Sequence, residues 1–237
     1  MSSDLKPITL HGHSRSPNPF KVAIILEELG IPYEKASSSR PLLYRADVPH
    51  FILGKILEDS KVDWHVKLNP NGRVPTIVDH NNNDFVLWES GAIVEYLVET
   101  YDKDNRLSFA DGDNKWLLKQ FLHFQMSGQG PYWGQAVWFD VLHPEDVPSA
   151  KTRYQNEIVR VIGVLDGILK DKEWLVGGKM TYADIAFYPW IKVISNEQIL
   201  GNIIKRLELR EKYPNFFAWH DRVHALDSVK RAYGDMY

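Results

Sequence analysis

The chain contains no cysteine. Disulfides, Cys–His nucleophile pairs and thiolate metal sites are thereby excluded, and any thiol chemistry must use a substrate's sulfur. A long apolar run is also missing: none approaches the ~20 residues of a membrane-spanning helix. Positive charge is not in excess. The 28 Lys and Arg are outnumbered by 31 Asp and Glu, a formal net charge of −3, so nothing argues for nucleic acid or an anionic membrane as partner. The opening MSSDLKP has neither the basic end nor the apolar core of a secretory signal, and a cytosolic location is the default expectation. No internal repeat and no phosphate-binding glycine loop is present. No cluster of metal-ligating residues stands near His11 and His13, so no metal site is expected. What remains is ordinary for a globular protein: 237 residues, 44% hydrophobic and 25% charged, enough for one large domain or two small ones. Eight Trp and eleven Tyr belong mostly to core or interface.

Residues 69 to 101, NPNGRVPTIVDHNNNDFVLWESGAIVEYLVETY, organise the rest. Asn69-Pro70-Asn71-Gly72 is turn chemistry. Short apolar runs at Thr76–Val78 and Phe85–Trp88 flank a polar tip, Asp79–Asp84, which predicts two antiparallel strands. A helical pattern follows, with Ile93, Tyr96, Leu97 and Tyr101 on one face. Two features read as chemical. Pro75 heads a strand, where a proline costs no ladder bond. If the Val74-Pro75 bond is cis, the Val74 backbone N–H and C=O turn out of the sheet toward a peptide-like ligand. At the helix start, Ser90 is placed to cap, and free N–H groups there suit an anion. Glu89 beside it suits an ammonium. A carboxylate and an amine on one carbon form the head of an amino acid, such as the γ-glutamyl end of glutathione. Taken singly, Pro75 is equally a loop proline and Ser90 a plain cap; together, in this order and spacing, they resist that reading. The stretch resembles the glutathione-site half of the glutathione transferase family.

Upstream, Ile8–His11 reads as a strand, Gly12–Pro19 as a loop, Phe20–Leu29 as a helix stopped by Gly30, and Ile31–Glu34 as a second strand. With the hairpin and helix above, the order is βαβ…ββα, similar to the thioredoxin-like first domain of that family. Such a domain does its chemistry in the loop before the first helix, where the helix dipole favours a thiolate. The loop here is Ser14-Arg15-Ser16-Pro17-Asn18-Pro19. It has no Tyr to act as a phenol donor. Ser16 offers a hydroxyl and Asn18 an amide NH2; the plain alternatives are a solvated turn for Ser16 and a helix N-cap for Asn18. The loop resembles the nu-class branch and the fungal nitrogen regulator that shares its fold. That resemblance implies that Asn18 contacts the glutathione sulfur and that Ser16 assists. Pro19 departs from the branch's usual Gly and fixes φ where Gly is free.

Residues 35 to 63 form an insertion about ten residues longer than the equivalent connection in relatives. The family supplies a His, Gln or Lys from this region to the glycyl carboxylate. Lys61 and His65 are candidates, against a solvated Lys and a packed or solvated His. Asp102–Asn114 is polar and Gly-containing, a linker.

The second half carries helical pattern throughout. Lys115–Ser127 is a helix that Gly128, Gly130 and Pro131 interrupt, with a kink at the proline. The segment resembles one that lies over the cleft in the same branch. Tyr132, Trp133 and Trp138 then form an apolar wall for a second substrate, or else pack between helices. Ser149–Leu169 is a long amphipathic helix. An Arg-Tyr pair at Arg153-Tyr154 resembles the nu-class pair and implies Arg153 as a contact for a second glutathione; the alternative is a surface ion pair. Thr181 and Asp184 are spaced as a capping box with Met180 and Ile185 as its staple, a folding element rather than a catalytic one. Pro214–Leu226 is the last clear helix.

The resemblance covers nearly the whole chain apart from the insertion. It implies a thioredoxin-like glutathione-binding domain over residues 1–103, a linker over 104–114 and an all-helical domain over 115–237, assembled as a homodimer. The implied chemistry is activation of the glutathione thiol for attack on an electrophilic carbon or a disulfide, with glutathione as co-substrate. The site residues are Asn18 and Ser16 at the sulfur, Val74 and Pro75 at the cysteinyl backbone, and Glu89 and Ser90 at the γ-glutamyl head. A non-catalytic regulator on the same fold is the alternative. About seven residues precede the first strand, which argues against the prion form with its Asn/Gln-rich arm. An interaction module is a further alternative, and the Ser16/Asn18 loop counts against it.

Overall fold

The computed structural model describes residues 5–37, 63–200 and 202–234. Lys61 and most of the insertion lie outside these residues. In chain order, β1 (Ile8–Gly12), α1 (Pro17–Leu29), β2 (Tyr33–Ser37), α2 (Asp63–Leu68), β3 (Thr76–Asp79), β4 (Phe85–Trp88) and α3 (Ser90–Tyr101) come first. They are followed by α4 (Gly112–Phe124), a π-helical turn (Gln125–Gln129), α5 (Gly130–Val137), a second π-helical turn (Trp138–Leu142) and α6 (Pro148–Leu169). Then come α7 (Tyr182–Ile194), the short α8 (Ile203–Arg206) and α9 (Leu209–Lys212), α10 (Pro214–His224) and α11 (Asp227–Tyr233). The fold is a thioredoxin-like domain followed by a helical one.

The sheet has the order β2-β1-β3-β4. β1 runs parallel to β2 and antiparallel to β3, and β3 is antiparallel to β4. β1 is central, so Ile8 and Leu10 are buried and it has no solvated apolar edge. β4 is an edge strand and leaves Phe85 40% and Trp88 36% exposed.

α1 begins at Pro17, three residues before the expected Phe20. Proline in a first turn forfeits no intrahelical bond, because those N–H groups have no partner in any helix. Ser16 is therefore the N-cap residue, with extended backbone and no side-chain capping bond. Asn18, weighed as a cap, is instead inside the first turn. At the other end Gly30 takes φ 65°, and the Gly30 and Ile31 N–H groups close onto Glu27 O and Leu26 O. That is a Schellman stop, which needs a residue tolerant of the left-handed region. Between these ends α1 is buried almost all round, with Val22, Ile24, Ile25 and Leu26 at 0% exposure. A helix apolar on every face must be packed on every face. α1 contacts α3, α7 and α11 as well as β1.

The segment after α3 is tied down. Asp102 is buried and accepts hydrogen bonds from the Arg106 and Leu107 N–H groups, both at 2.8 Å. Leu107 O accepts from Tyr182 N at 3.0 Å. Thr181 and Asp184 form the anticipated capping box at the start of α7. Asp184 is fully buried and also accepts from Leu175 N and Trp219 Nε1, so the box anchors two further segments.

Three local expectations shift. β2 starts at Tyr33 rather than Ile31, and the six-residue α2 stands where no helix was read. The break after α4 is a π-helical turn in which Gly130 N donates to Gln125 O. Pro131 then falls in the first turn of α5, where its missing N–H is harmless. No described helix is long and apolar enough to cross a membrane.

Candidate active site

Thr76 pairs with His11 on one side and Trp88 on the other. One rung across the sheet therefore places three distant segments at the same end: the exit of β1 into the 13–16 loop, the Val74-Pro75 turn, and the entry from β4 into Glu89-Ser90.

The turn is held by Asn69, 1% exposed. Its Nδ2 donates to Arg73 O at 2.7 Å and to Thr76 Oγ1 at 3.1 Å, and its Oδ1 accepts from Asn71 N at 3.0 Å. This is the local bonding by which an Asn shapes a turn. The Val74-Pro75 peptide bond is cis. No described residue takes up the Val74 backbone N–H or C=O.

Glu89 is exposed and holds φ 73°, ψ 113°. A glutamate at positive φ is uncommon and costs on the order of 1–3 kcal/mol, and such residues cluster at functional sites. Glu89, not Ser90, occupies the capping position. Ser90 is the first residue of α3 and lies only 3% exposed.

In the loop before α1, Trp190 Nε1 of α7 donates to Asn18 Oδ1 at 3.1 Å. An indole N–H only donates, so the amide oxygen of Asn18 faces it and the NH2 is the free end. Asn18 Nδ2 donates to no described residue. Pro19 packs on the end of β1: a Cβ at Gly12 would lie 2.8 Å from Pro19 Cβ. The missing side chain at 12 makes room for the proline at 19.

Lys21, one turn further along α1, is 1% exposed. Its Nζ donates to Gln125 Oε1 at 2.6 Å, to Ser90 Oγ at 3.3 Å and to Met126 Sδ at 3.6 Å. Burial pushes its pKa down to about 7, against the opposing attraction of the Glu89 carboxylate.

The remaining expected residues divide. Trp133 is fully buried, so it packs in the core and is withdrawn from the apolar wall. Trp138 is 37% exposed. Tyr132 is half-buried, its ring 6.3 Å from that of Tyr154. Arg153 is exposed with no ion pair among the described residues. His65 is fully buried and shares a 3.2 Å hydrogen bond with Thr76 Oγ1; it supports β3 and is withdrawn as a carboxylate ligand. Among the described residues no group of three or more His, Asp or Glu could hold a metal ion. Sequence reasoning missed Trp190 and Lys21. Trp190 had no local signal, and Lys21 reads as an ordinary surface lysine until α1 is seen packed on all sides.

The geometry agrees with the comparisons. Residues 15–100 match the glutathione S-transferase N-terminal domain and residues 133–227 the C-terminal domain. The chain is 42% identical over 234 residues to glutathione S-transferase 2 of Schizosaccharomyces pombe, covering 96% of this chain and 95% of that protein. The chain belongs to the glutathione S-transferase family. Within it, the chain falls on the Ure2p-like, nu-class branch. Glutathione transferase URE2P8 of Phanerochaete chrysosporium, solved with oxidized glutathione, superimposes with a TM-score of 0.83 at 38% identity, covering 98% of this chain and 96% of that one. A glutathione transferase homologue from Lodderomyces elongisporus, solved with two GSH per subunit, gives a TM-score of 0.81 at 34% identity, covering 97% and 98%.

Proposed function

We propose that the protein binds glutathione at this end of the sheet and activates its thiol. The observation that carries the reading is the Trp190–Asn18 bond, which commits the amide oxygen and leaves the NH2 for a sulfur at the α1 N-terminus. Val74 pairs with the cysteinyl backbone beside Pro75. Glu89 takes the γ-glutamyl ammonium, and Ser90 with the α3 N-terminus takes its carboxylate. Asn18, helped by the Ser16 hydroxyl, stabilises the thiolate with donors already in place, the logic of an oxyanion hole. A free thiol has pKa ~8.5 and reaches ~7 or lower in such settings. Each unit is ~1.4 kcal/mol, within the range of one or two charge-assisted hydrogen bonds.

The thiolate then attacks an electrophilic carbon, displacing a leaving group, or a disulfide sulfur, displacing the other sulfur as a thiolate. Since the chain has no cysteine, reducing a disulfide takes two glutathiones. The second thiolate attacks the glutathione sulfur of the mixed disulfide, forming oxidised glutathione and expelling the substrate's remaining sulfur as a thiolate. Arg153, exposed and without an ion pair among the described residues, is the group we assign to that second molecule; Tyr132 and Trp138 are those we assign to an apolar substrate. The oxidized glutathione in one solved relative and the two GSH per subunit in the other favour the disulfide reaction beside conjugation. A cytosolic setting suits it, since glutathione is kept reduced there. We place residues 104–114 as the linker between the two domains, and a second copy against the edge strand β4, whose exposed Phe85 and Trp88 are apolar surface of the kind interfaces cover. Light scattering that finds a monomer at micromolar concentration removes the dimer.

The experiment is glutathione-dependent reduction of a small mixed disulfide beside conjugation of an aryl halide, for wild type, Asn18→Ala and Ser16→Ala. Asn18→Ala is expected to lose at least tenfold in both activities while still binding glutathione. Survival of both activities in both variants sinks the assignment. Glutathione binding with neither activity in wild type makes the chain a binding module.

A further inference from the structure

Among the described residues Lys21 is the one buried lysine or arginine, and it links the two domains. Its polar partners form a chain whose direction is set from the far end. Phe187 O in α7 can only accept, so Gln129 turns its NH2 to it at 3.1 Å. The Gln129 oxygen then accepts from Gln125 Nε2 at 2.9 Å. That leaves the Gln125 oxygen facing Lys21, where only a donor fits, at 2.6 Å. Both glutamines are fully buried, so neither can turn to water without breaking a bond. Below its pKa of about 7 Lys21 is an ammonium, with donors and no acceptor. Ser90 Oγ therefore accepts from Lys21, and the Ser90 proton must point elsewhere. Its partner here is Met126 Sδ, 3.6 Å away, a weak thioether acceptor that an anion readily replaces.

We propose that Lys21 is a positioning residue for the γ-glutamyl carboxylate: by donating to Ser90 Oγ it turns the Ser90 hydroxyl proton toward the bound anion. This rests on the placement of the glutathione head at Ser90 given above. The glutamine relay extends the effect into the helical domain, because the Phe187 carbonyl fixes which way every amide in it faces. Lys21 touches no ligand; it acts through Ser90.

The test is calorimetric binding of glutathione, and of an analogue with γ-aminobutyryl in place of γ-glutamyl, to wild type and Lys21→Met. The analogue lacks only the carboxylate that Ser90 would meet. Lys21→Met is expected to weaken glutathione about tenfold or more and leave the analogue unchanged, since a hydrogen bond to a charged group is at stake. Equal binding of glutathione by both proteins, or equal weakening of both ligands, overturns the inference. Should Lys21→Met not fold, the wild-type lysine ε-carbon resonance serves instead. It must move with glutathione and stay with the analogue; movement with both, or with neither, overturns the proposal. Wild type that fails to bind glutathione overturns the site reading itself, a separate result.

Discussion

Trp190→Phe tests how Asn18 is held. The substitution keeps an aromatic ring in α7 and removes the donor that meets Asn18 Oδ1 at 3.1 Å. Without it the amide has two orientations, and one of them presents oxygen to the thiolate. A net hydrogen bond contributes about 0.5–1.5 kcal/mol. At ~1.36 kcal/mol per unit, the bound thiol's pKa should rise by roughly 0.4–1 unit. Below that pKa the turnover rate should then fall ~2- to 10-fold, with the high-pH plateau retained. The trimmed ring also leaves space against Gly134, whose Cβ would meet Trp190 Cη2 at 3.1 Å, so some loss of stability accompanies the change. The pH titration of thiolate absorbance in the glutathione complex separates the two effects. So does a double-mutant cycle with Asn18→Ala. If Trp190 acts through Asn18, Trp190→Phe raises the thiol pKa in wild type and does nothing further in Asn18→Ala. An equal shift in both backgrounds, or none in either, refutes the reasoning.

Two more predictions concern stability. Gly12→Ala puts a methyl 2.8 Å from Pro19 Cβ and should destabilise by ~1–3 kcal/mol in denaturant titration; Pro19→Gly in the same chain should restore most of it, and simple additivity would refute the pairing. Lys21 sits at about 7 in the folded protein and near ~10.4 when unfolded. Between those values the unfolded chain binds more protons, so this group makes stability rise with pH, by up to ~1.4 kcal/mol per unit, and has no slope below 7. The difference between wild type and Lys21→Met should show that rise between pH 7 and 9; parallel curves would show that the amine is not depressed.

The features legible from sequence are those decided within a few residues. Gly30 ends α1 because a left-handed position follows the last turn. Thr181 and Asp184 cap α7 because they stand three positions apart. The 69–101 stretch yields turn, strands and helix from its own alternation, and Val74-Pro75 and Glu89-Ser90 stood out there. Errors arose where one residue type is tolerated in two settings. Pro19 reads as the end of a loop and sits in the first turn of α1, where no bond is lost. Trp133 and Trp138, on the same run, could not be sorted into core and surface without knowing what α5 packs against. His65, weighed as a carboxylate ligand against a packed or solvated side chain, is buried and supports Thr76. Two features belong to tertiary structure alone. Asn18 and Trp190 lie 172 residues apart, and no local pattern chooses an amide's orientation. Lys21 is polar in every scale and fully enclosed here, because the sheet lies on one side of α1 and helices on the others. A charge is buried only where the surrounding fold supplies acceptors, and Ser90 and Gln125 come from two domains that only the folded chain brings together.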